Sequence, residues 1–220
     1  MFVSCHPTIE HVEHFEYLGA SFYGDGRSKN EIRRRLAIAK QKLNNMKRLW
    51  KGQSIETKMR VLQSCIFPVA VYGCEAWTPL KADINRLIAF EMTCYRKLLQ
   101  ITWTQKITNE EVRSRLNISY SHLFKHFKKQ KLSYFGHIKR HSTLEKSVLE
   151  GRVEGKRSKG RPRRRWVDDI KEWLQMSVVK AGGLALDRDA YRGSVRAATR
   201  RGPTHIADSA GGGSRGSPTR

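Results

Sequence analysis

Apolar residues recur every three or four positions through most of the chain from Ser28 onward. In the first such stretch the recurring residues are Ile32, Leu36, Ala39, Leu43, Met46 and Trp50. This spacing places apolar side chains on one face of a helix and leaves the other face to polar and basic residues. Similar stripes follow behind Ser54, Thr78, Thr108 and Ser121, and again from Trp166. The sequence therefore predicts a mainly α fold built as a bundle of amphipathic helices.

Local signals predict where several of these helices begin and end. Ser28 and Glu31 have the spacing of a capping box, which favours a helix start at Ser28. Pro68 is expected to kink or end the helix that begins near Ser54, because proline lacks the backbone N–H that an inner turn needs. The glycines Gly182 and Gly183 are expected to end the helix that begins at Trp166.

The stretch before the helices alternates instead of repeating with helical spacing. In HVEHFEYLGASF, Phe15 and Tyr17 point to one side, and glycines at 19, 24 and 26 interrupt the pattern. This predicts one short N-terminal β-strand followed by a turn. A strand needs a partner for its backbone groups. We therefore expect either an irregular neighbour or further strands outside this sequence.

A large excess of positive charge is the second feature of the sequence, and it bears on the binding partner. The 220 residues hold 43 Lys and Arg against 20 Asp and Glu, a formal net charge of +23. Because this surplus costs folding energy through self-repulsion, we expect a polyanionic partner, RNA or DNA. The charge is densest at 152–165, where eight basic residues accompany one acid.

The dense segment contains KGRPR, which has the shape of an AT-hook core. Proline keeps such a backbone extended, and the flanking arginines can enter a narrow minor groove. A solvated run of charge and a nuclear-import signal are the alternative interpretations.

A second basic region covers 112–144, with eight Lys or Arg and no acid. A helix face of this kind could follow a phosphate backbone, and the alternative is an ordinary solvated face. Its aromatic residues are predicted to lie in the core, and a platform for base stacking is the alternative. We predict that nucleic acid contacts Lys125, Lys128, Lys129, Lys131, Lys139, Arg140, Arg152, Lys156, Arg157, Lys159, Arg161, Arg163, Arg164 and Arg165.

Other chemistries find little support in the sequence. There is no phosphate-binding glycine loop, no nucleophile triad and no carboxylate pair in a polymerase setting. Asp168 and Asp169 fit the first turn of a helix, where carboxylates complement the helix dipole. The four cysteines lack paired spacing, and the apolar run at 66–72 is too short to span a bilayer. We therefore expect no enzyme activity, no metal, no cofactor and no membrane partner, and an intracellular, nuclear location.

Seven short motifs lie in one order between residues 12 and 195: FEYLGASF, EIRRRLAIAK, VYGCEAWT, FEMTCYRKLLQI, SYFGHIKR, GRPRRRWVDDI and LDRDAYRGSV. In this order they resemble the C-terminal third of non-LTR (LINE-type) retrotransposon endonuclease–reverse transcriptases. The residues that match the family motifs are Tyr17, Leu18, Gly19, Tyr72, Gly73, Glu75, Trp77, Phe135, Gly136, His137, Gly160, Pro162 and Trp166. Tyr191 stands where the family usually has tryptophan.

The resemblance implies a thumb-like helical bundle that grips template RNA and primer DNA. Combined with the patterns above, it predicts five segments. They are an end-of-palm strand and turn (1–27), a helical thumb-like domain (28–141), a basic linker or arm (142–165), C-terminal helices (166–199) and a disordered tail (200–220).

The family's Asp-Asp polymerase motif and its endonuclease domain would precede Met1. We therefore expect a fragment of a reverse transcriptase, from a truncated element or a partial gene prediction, that lacks both catalytic centres. Other parts of a reverse transcriptase are candidate partners. The alternatives are a non-enzymatic, AT-hook-like DNA- or RNA-binding host protein, and an inactive relic of the element.

Overall fold

The structure is a computed structural model that describes residues 12–46, 50, 52–142, 144–151, 160 and 163–201. The strands are β1 (His14–Tyr17) and β2 (Ala20–Tyr23). The helices are α1 (Lys29–Asn45), α2 (Ile55–Val61), α3 (Phe67–Ala70), α4 (Lys81–Leu98), α5 (Asn109–Arg115), α6 (His122–Arg140), α7 (Leu144–Leu149), α8 (Trp166–Leu174), α9 (Val178–Leu186) and α10 (Arg188–Arg200). The predicted fold class, mainly α with a short N-terminal β element, is confirmed. Residues 143, 152–159, 161 and 162 of the predicted arm and residues 202–220 of the predicted tail lie outside the described residues.

The predicted N-terminal strand is in fact two strands that form a hairpin. β1 pairs antiparallel with β2, with Phe15 opposite Phe22 and Tyr17 opposite Ala20. The two turn residues, Leu18 and Gly19, have φ angles of 49° and 73°. Positive φ at both central positions is typical of a type I′ turn, which matches the twist of two paired strands. Because leucine is unusual in such a turn, the alternating pattern gave no sign that the chain reverses there.

Helix α1 begins where predicted, although the predicted cap does not form. The Ser28 hydroxyl accepts a hydrogen bond from the backbone N–H of Thr78 at 3.0 Å. The Glu31 carboxylate accepts hydrogen bonds from the backbone N–H of Ser21 at 3.2 Å and from Arg35 Nε at 2.7 Å. Both side chains of the expected capping box therefore bind distant segments and connect α1 to β2 and to the segment that precedes α4.

Pro68 does not end its helix, whose hydrogen bonding becomes π-helical just before it. Residues Leu62–Ile66 form a π-helical turn between α2 and α3, so the chain stays helical from 55 to 70. A proline inside an α-helix removes one hydrogen bond and crowds the carbonyl four residues earlier. A wider turn accommodates the missing bond.

The region behind α6 is more helical than predicted. α7 lies inside the segment expected to be a linker. The helix that begins at Trp166 ends at Leu174, and Gly182 and Gly183 lie inside the next helix, α9. A Cβ at Gly182 would lie 3.2 Å from Lys139 Cε, so this glycine serves close packing instead of helix termination.

One hydrophobic core joins helices from both ends of the described chain. α6 lies at its centre and contacts α4, α9, α10 and the short 3₁₀ turn at Cys74–Ala76. On α6, the Phe127 ring packs edge-on against Trp173 of α8, with centroids 5.4 Å apart. The Phe135 ring lies 6.3 Å from Tyr191 of α10. α8 and α10 therefore complete the core of the helices that precede them.

Candidate nucleic-acid interface

Helix α6 has two faces of opposite character. Its buried face carries residues of the shared core, including Leu123, Phe124 and Phe127. Its start is held by Glu91, whose carboxylate accepts hydrogen bonds from the Ser121 hydroxyl and from the backbone N–H of Leu123. The other face carries residues spaced three or four positions apart, which places them along one side of the helix. These residues are His122, Lys125, His126, Lys129, Ser133 and His137.

This polar face forms one wall of a groove of about 760 Å³, a volume typical of ligand-binding clefts. Gln63, Phe67 and Glu75 contribute from across the groove. Lys125 and Lys129 are exposed, and within the described chain no carboxylate pairs with either. They are one helical turn apart, roughly 6 Å along the axis. The groove therefore presents two uncompensated ammonium groups on a rigid helix.

The histidines add charge that depends on pH. Burial lowers the pKa of His122, and the nearby Lys125 acts in the same direction while Glu91 opposes it. Burial and the charge of Lys129 lower the pKa of His126. Both imidazoles therefore favour the neutral form at neutral pH. A bound polyanion would favour the protonated forms of both histidines. Its binding would therefore become stronger as the pH falls.

Two lysines of α6 that were predicted to contact nucleic acid are buried. Lys131 is fully buried, donates a hydrogen bond to the Trp77 carbonyl at 2.6 Å and forms an ion pair with Asp169. Lys128 is 3% exposed and donates to the Ala198 carbonyl at 3.0 Å. Burial lowers the pKa of Lys128 to about 8. Side chains without exposed surface cannot reach a phosphate in this conformation, so both lysines serve the fold.

The last two predicted residues of α6 are partly engaged. Lys139 forms an ion pair with Glu150 at 3.0 Å. Arg140 Nη1 donates a hydrogen bond to the Ala185 carbonyl at 3.0 Å. Both side chains are half-buried, and their predicted contact with nucleic acid remains a prediction.

The densely basic part of the predicted arm, 152–165, is described only at its C-terminal end. Gly160, Arg163, Arg164 and Arg165 belong to the described residues. The other residues of the arm that were predicted as part of the site lie outside them, and their roles stay predictions. They are Arg152, Lys156, Arg157, Lys159, Arg161 and Pro162.

The end of the arm is attached to the bundle. Arg164 Nη2 donates to Asp169 and to Glu172, at 2.6 Å in each case. Trp166 Nε1 donates to the Glu75 carbonyl at 2.6 Å. Arg165 is exposed, and none of the described carboxylates forms an ion pair with it. The charge of Arg164 is therefore neutralised internally, whereas that of Arg165 is available to a ligand.

The residues of the family motifs meet in two packing networks. In the first, the Tyr72 hydroxyl donates to the Leu18 carbonyl at 2.9 Å, and the Arg35 guanidinium lies over the Tyr72 ring, 4.2 Å from its centroid. Arg34 and Arg35 both donate to the Gly19 carbonyl. These motifs therefore attach the hairpin turn to the helices. Tyr17 of the same motif is exposed on β1.

The second network connects the segment around the 3₁₀ turn to α6 and α8. The Glu75 and Trp77 carbonyls accept the hydrogen bonds from Trp166 and Lys131 described above. The Phe135 ring stacks on Trp166, with centroids 6.4 Å apart. The motif residues in this network maintain the fold. The candidates for contact with a ligand are therefore the exposed basic residues.

Two further motif glycines have different structural roles. Gly73 has a φ angle of 68°, in the left-handed region that favours glycine. Gly136 faces Tyr191, and a Cβ at this position would lie 2.5 Å from Tyr191 Cε1. The neighbouring motif residue His137 instead lines the groove.

The adjacent carboxylates of α8 have separate structural roles. Asp168 accepts a hydrogen bond from the backbone N–H of Arg165 at 2.7 Å and so caps the helix. Asp169 is buried in its ion pairs with Lys131 and Arg164.

Among the described residues, no group of three or more His, Cys, Asp or Glu side chains could hold a metal ion. None of the described helices is both long and apolar enough to cross a membrane.

The chain is similar to an uncharacterized transposon-derived protein of Caenorhabditis elegans. The two proteins are 30% identical over 173 residues, which cover 74% of this chain and 61% of the relative. The chain therefore spans less than two thirds of that protein's length. No protein-family model and no solved structure matches the chain.

Proposed function

We propose that this chain is a nucleic-acid-binding region derived from a transposable element, equivalent to the part of a LINE-type reverse transcriptase that follows the palm. The transposon-derived relative supports the origin. The seven ordered motifs support the type of element. We assign RNA or DNA binding to the chain and no catalytic step.

The observation that carries the proposal is the outward face of α6. Lys125 and Lys129 project from it without a carboxylate partner in the described chain, and three histidines lie beside them. Among the described residues that line the groove, Glu75 is the one acidic residue. Lysines on such a face displace the counterions that surround a phosphate backbone, which provides most of the affinity of nonspecific binding.

The groove and the arm adjoin each other. Trp166 directly follows the arm and contacts two residues that line the groove. Its indole N–H donates to the Glu75 carbonyl, and its ring packs edge-on against Tyr134, with centroids 6.2 Å apart. A strand held in the groove would therefore pass close to the basic segment, so that both surfaces can bind one nucleic acid.

Binding can be tested by fluorescence anisotropy with labelled single-stranded RNA, duplex DNA and an RNA–DNA hybrid. If the arm neutralises about six phosphates, affinity should fall roughly a thousandfold between 50 and 200 mM salt. Replacing Lys125 and Lys129 together by alanine should weaken binding and reduce the salt slope by about two.

The matched control replaces Lys40 and Lys42, which are exposed on α1 and do not line the groove, with alanine. This pair removes the same charge and should leave the slope nearly unchanged. No binding to any of the three probes in dilute buffer, or a flat response to salt, would refute the proposal.

Competition among the RNA–DNA hybrid, an A/T-rich duplex and a G/C-rich duplex separates a region of the element from a host protein. A thumb-like region should prefer the A-form geometry of the hybrid. A chromatin-type host protein that uses the KGRPR segment should instead prefer A/T-rich over G/C-rich duplex DNA, because it reads a narrow minor groove.

A further inference from the structure

A second basic cavity lies where the arm meets the bundle. Its volume is about 350 Å³, and it shares no lining residue with the α6 groove. The loop before α1, the start of α4 and the last residues of the arm enclose it. Five cationic side chains line it, namely Arg27, Lys29, Arg86, Arg163 and Arg164, together with the carboxylates of Asp25 and Asp83.

The two carboxylates neutralise only part of this charge. Asp83 is 3% exposed, and its oxygens accept hydrogen bonds from Arg86 at 2.6 Å and from the backbone N–H of Leu80 at 3.2 Å. Asp25 accepts a hydrogen bond from the backbone N–H of Arg27 at 2.9 Å, and no described carboxylate forms an ion pair with the Arg27 guanidinium. Asp83 therefore pairs with Arg86, whereas Asp25 caps the loop and forms no ion pair with a described cation.

Three of the five cations keep their full charge. Arg27 and Lys29 are exposed, and no described carboxylate forms an ion pair with either. Arg163 Nη1 donates to the neutral carbonyl of Asp25 at 2.8 Å. Three like charges in one concavity repel one another, and a bound anion would relieve that repulsion.

We propose that this cavity binds phosphate groups. Guanidinium groups match the geometry of phosphate oxygens and can donate two parallel hydrogen bonds to them. The N-terminal ends of α1 and α4 border the cavity and add a weak favourable dipole. None of the described residues that line it is aromatic, so these residues offer a nucleobase no ring on which to stack. The ligand is thus a phosphate of a nucleic-acid strand or a free oligophosphate.

Isothermal titration calorimetry with inorganic pyrophosphate, on the full chain at low ionic strength, tests the cavity directly. Wild-type protein should bind pyrophosphate. Replacing Arg27 and Lys29 together by alanine should weaken binding by about tenfold or more, since two of the three uncompensated charges are lost. Both side chains are exposed, so the variant should keep the wild-type melting temperature.

The control is again the Lys40→Ala, Lys42→Ala protein, which has the same net charge as the Arg27→Ala, Lys29→Ala protein. Its affinity for pyrophosphate should stay close to that of wild type. The proposal is overturned if folded wild-type protein does not bind pyrophosphate, or if both variants lose affinity equally, because binding then reflects net charge alone.

A labelled single-stranded RNA identifies the source of the phosphate. Displacement of the RNA by pyrophosphate, with weaker RNA binding by the Arg27→Ala, Lys29→Ala protein, assigns the cavity to a nucleic-acid strand. Unchanged RNA binding assigns it to a free oligophosphate. Pyrophosphate binding without any binding of RNA, duplex DNA or the RNA–DNA hybrid would refute the proposed function and leave the cavity assignment standing.

Discussion

Replacing Gly136 with alanine in α6 should destabilise the protein, although alanine favours helices. A Cβ at this position would lie 2.5 Å from Tyr191 Cε1, 2.9 Å from Tyr191 Cδ1 and 3.0 Å from Arg140 Nη1. Carbon atoms in contact normally sit about 3.5–4.0 Å apart. The tyrosine ring would therefore have to move by roughly 1 Å, or α6 and α10 would have to separate.

Tyr191 has little freedom to move. It is 3% exposed, its hydroxyl donates to the Leu132 carbonyl at 2.8 Å, and its ring packs against Phe135. Overpacking of this kind costs about 1–3 kcal/mol, and a lost hydrogen bond costs about 1 kcal/mol more. The higher helix propensity of alanine returns about 1 kcal/mol. We expect the free energy of unfolding to fall by about 1–3 kcal/mol.

Urea denaturation followed by circular dichroism measures this change. Gly193→Ala in α10 is the matched control, because Gly193 is helical and exposed and a Cβ there meets nothing within 4 Å. That variant should be more stable than wild type by about 0.5–1 kcal/mol. In a Tyr191→Leu background the cost of Gly136→Ala should largely disappear. If Gly136→Ala behaves like Gly193→Ala, or if its cost persists in the Tyr191→Leu background, the steric explanation is wrong.

Two further predictions concern buried charge. Lys131→Met should lower the free energy of unfolding by about 2–4 kcal/mol, because it removes a partner of the buried Asp169 carboxylate. Lys171→Met, at an exposed position of α8, should change it by less than about 0.5 kcal/mol, and equal effects of the two changes in urea melts would contradict this. Because burial lowers the pKa of His122 and His126, the unfolded chain binds protons more readily than the folded chain near pH 6.5, and stability should fall from pH 7.5 to 5.5. Replacing both histidines with glutamine should reduce that fall, and an unchanged pH profile would exclude them as its cause.

The sequence predicts the helices best where apolar spacing runs over several turns, as in α1, α4 and α6. Periodicity reports which residues share a helix face, and burial of that face decides most of the stability of a helix. Periodicity does not report which hydrogen-bond partners a side chain finds in segments that are distant in the sequence. Ser28 and Glu31 have the spacing of a local cap, yet they bind Thr78 and Ser21 because tertiary contacts place those donors within reach.

The candidate site was predicted only in part for a related reason. Counting charge along α6 does not distinguish the exposed Lys125 and Lys129 from the buried Lys128 and Lys131. A usable signal was present, because each buried lysine lies four positions from an aromatic or leucine of the apolar stripe on both sides: Phe124 and Leu132 for Lys128, and Phe127 and Phe135 for Lys131. Their carbonyl and carboxylate partners lie on distant segments, and no local pattern predicts those. The cavity at Arg27 and Lys29 depends on the same kind of long-range approach.

The shared core also determines which truncated forms of this sequence can fold stably. α8 and α10 supply the Trp173 and Tyr191 rings that cover Phe127 and Phe135 of α6. A stop codon anywhere between residues 142 and 165 would therefore remove half of a hydrophobic interface and leave aromatic rings in contact with water, where they promote aggregation and proteolysis. The basic segment at 152–165 sits between the two halves of that interface, so a stable copy must keep this segment in frame whether or not its charge is used.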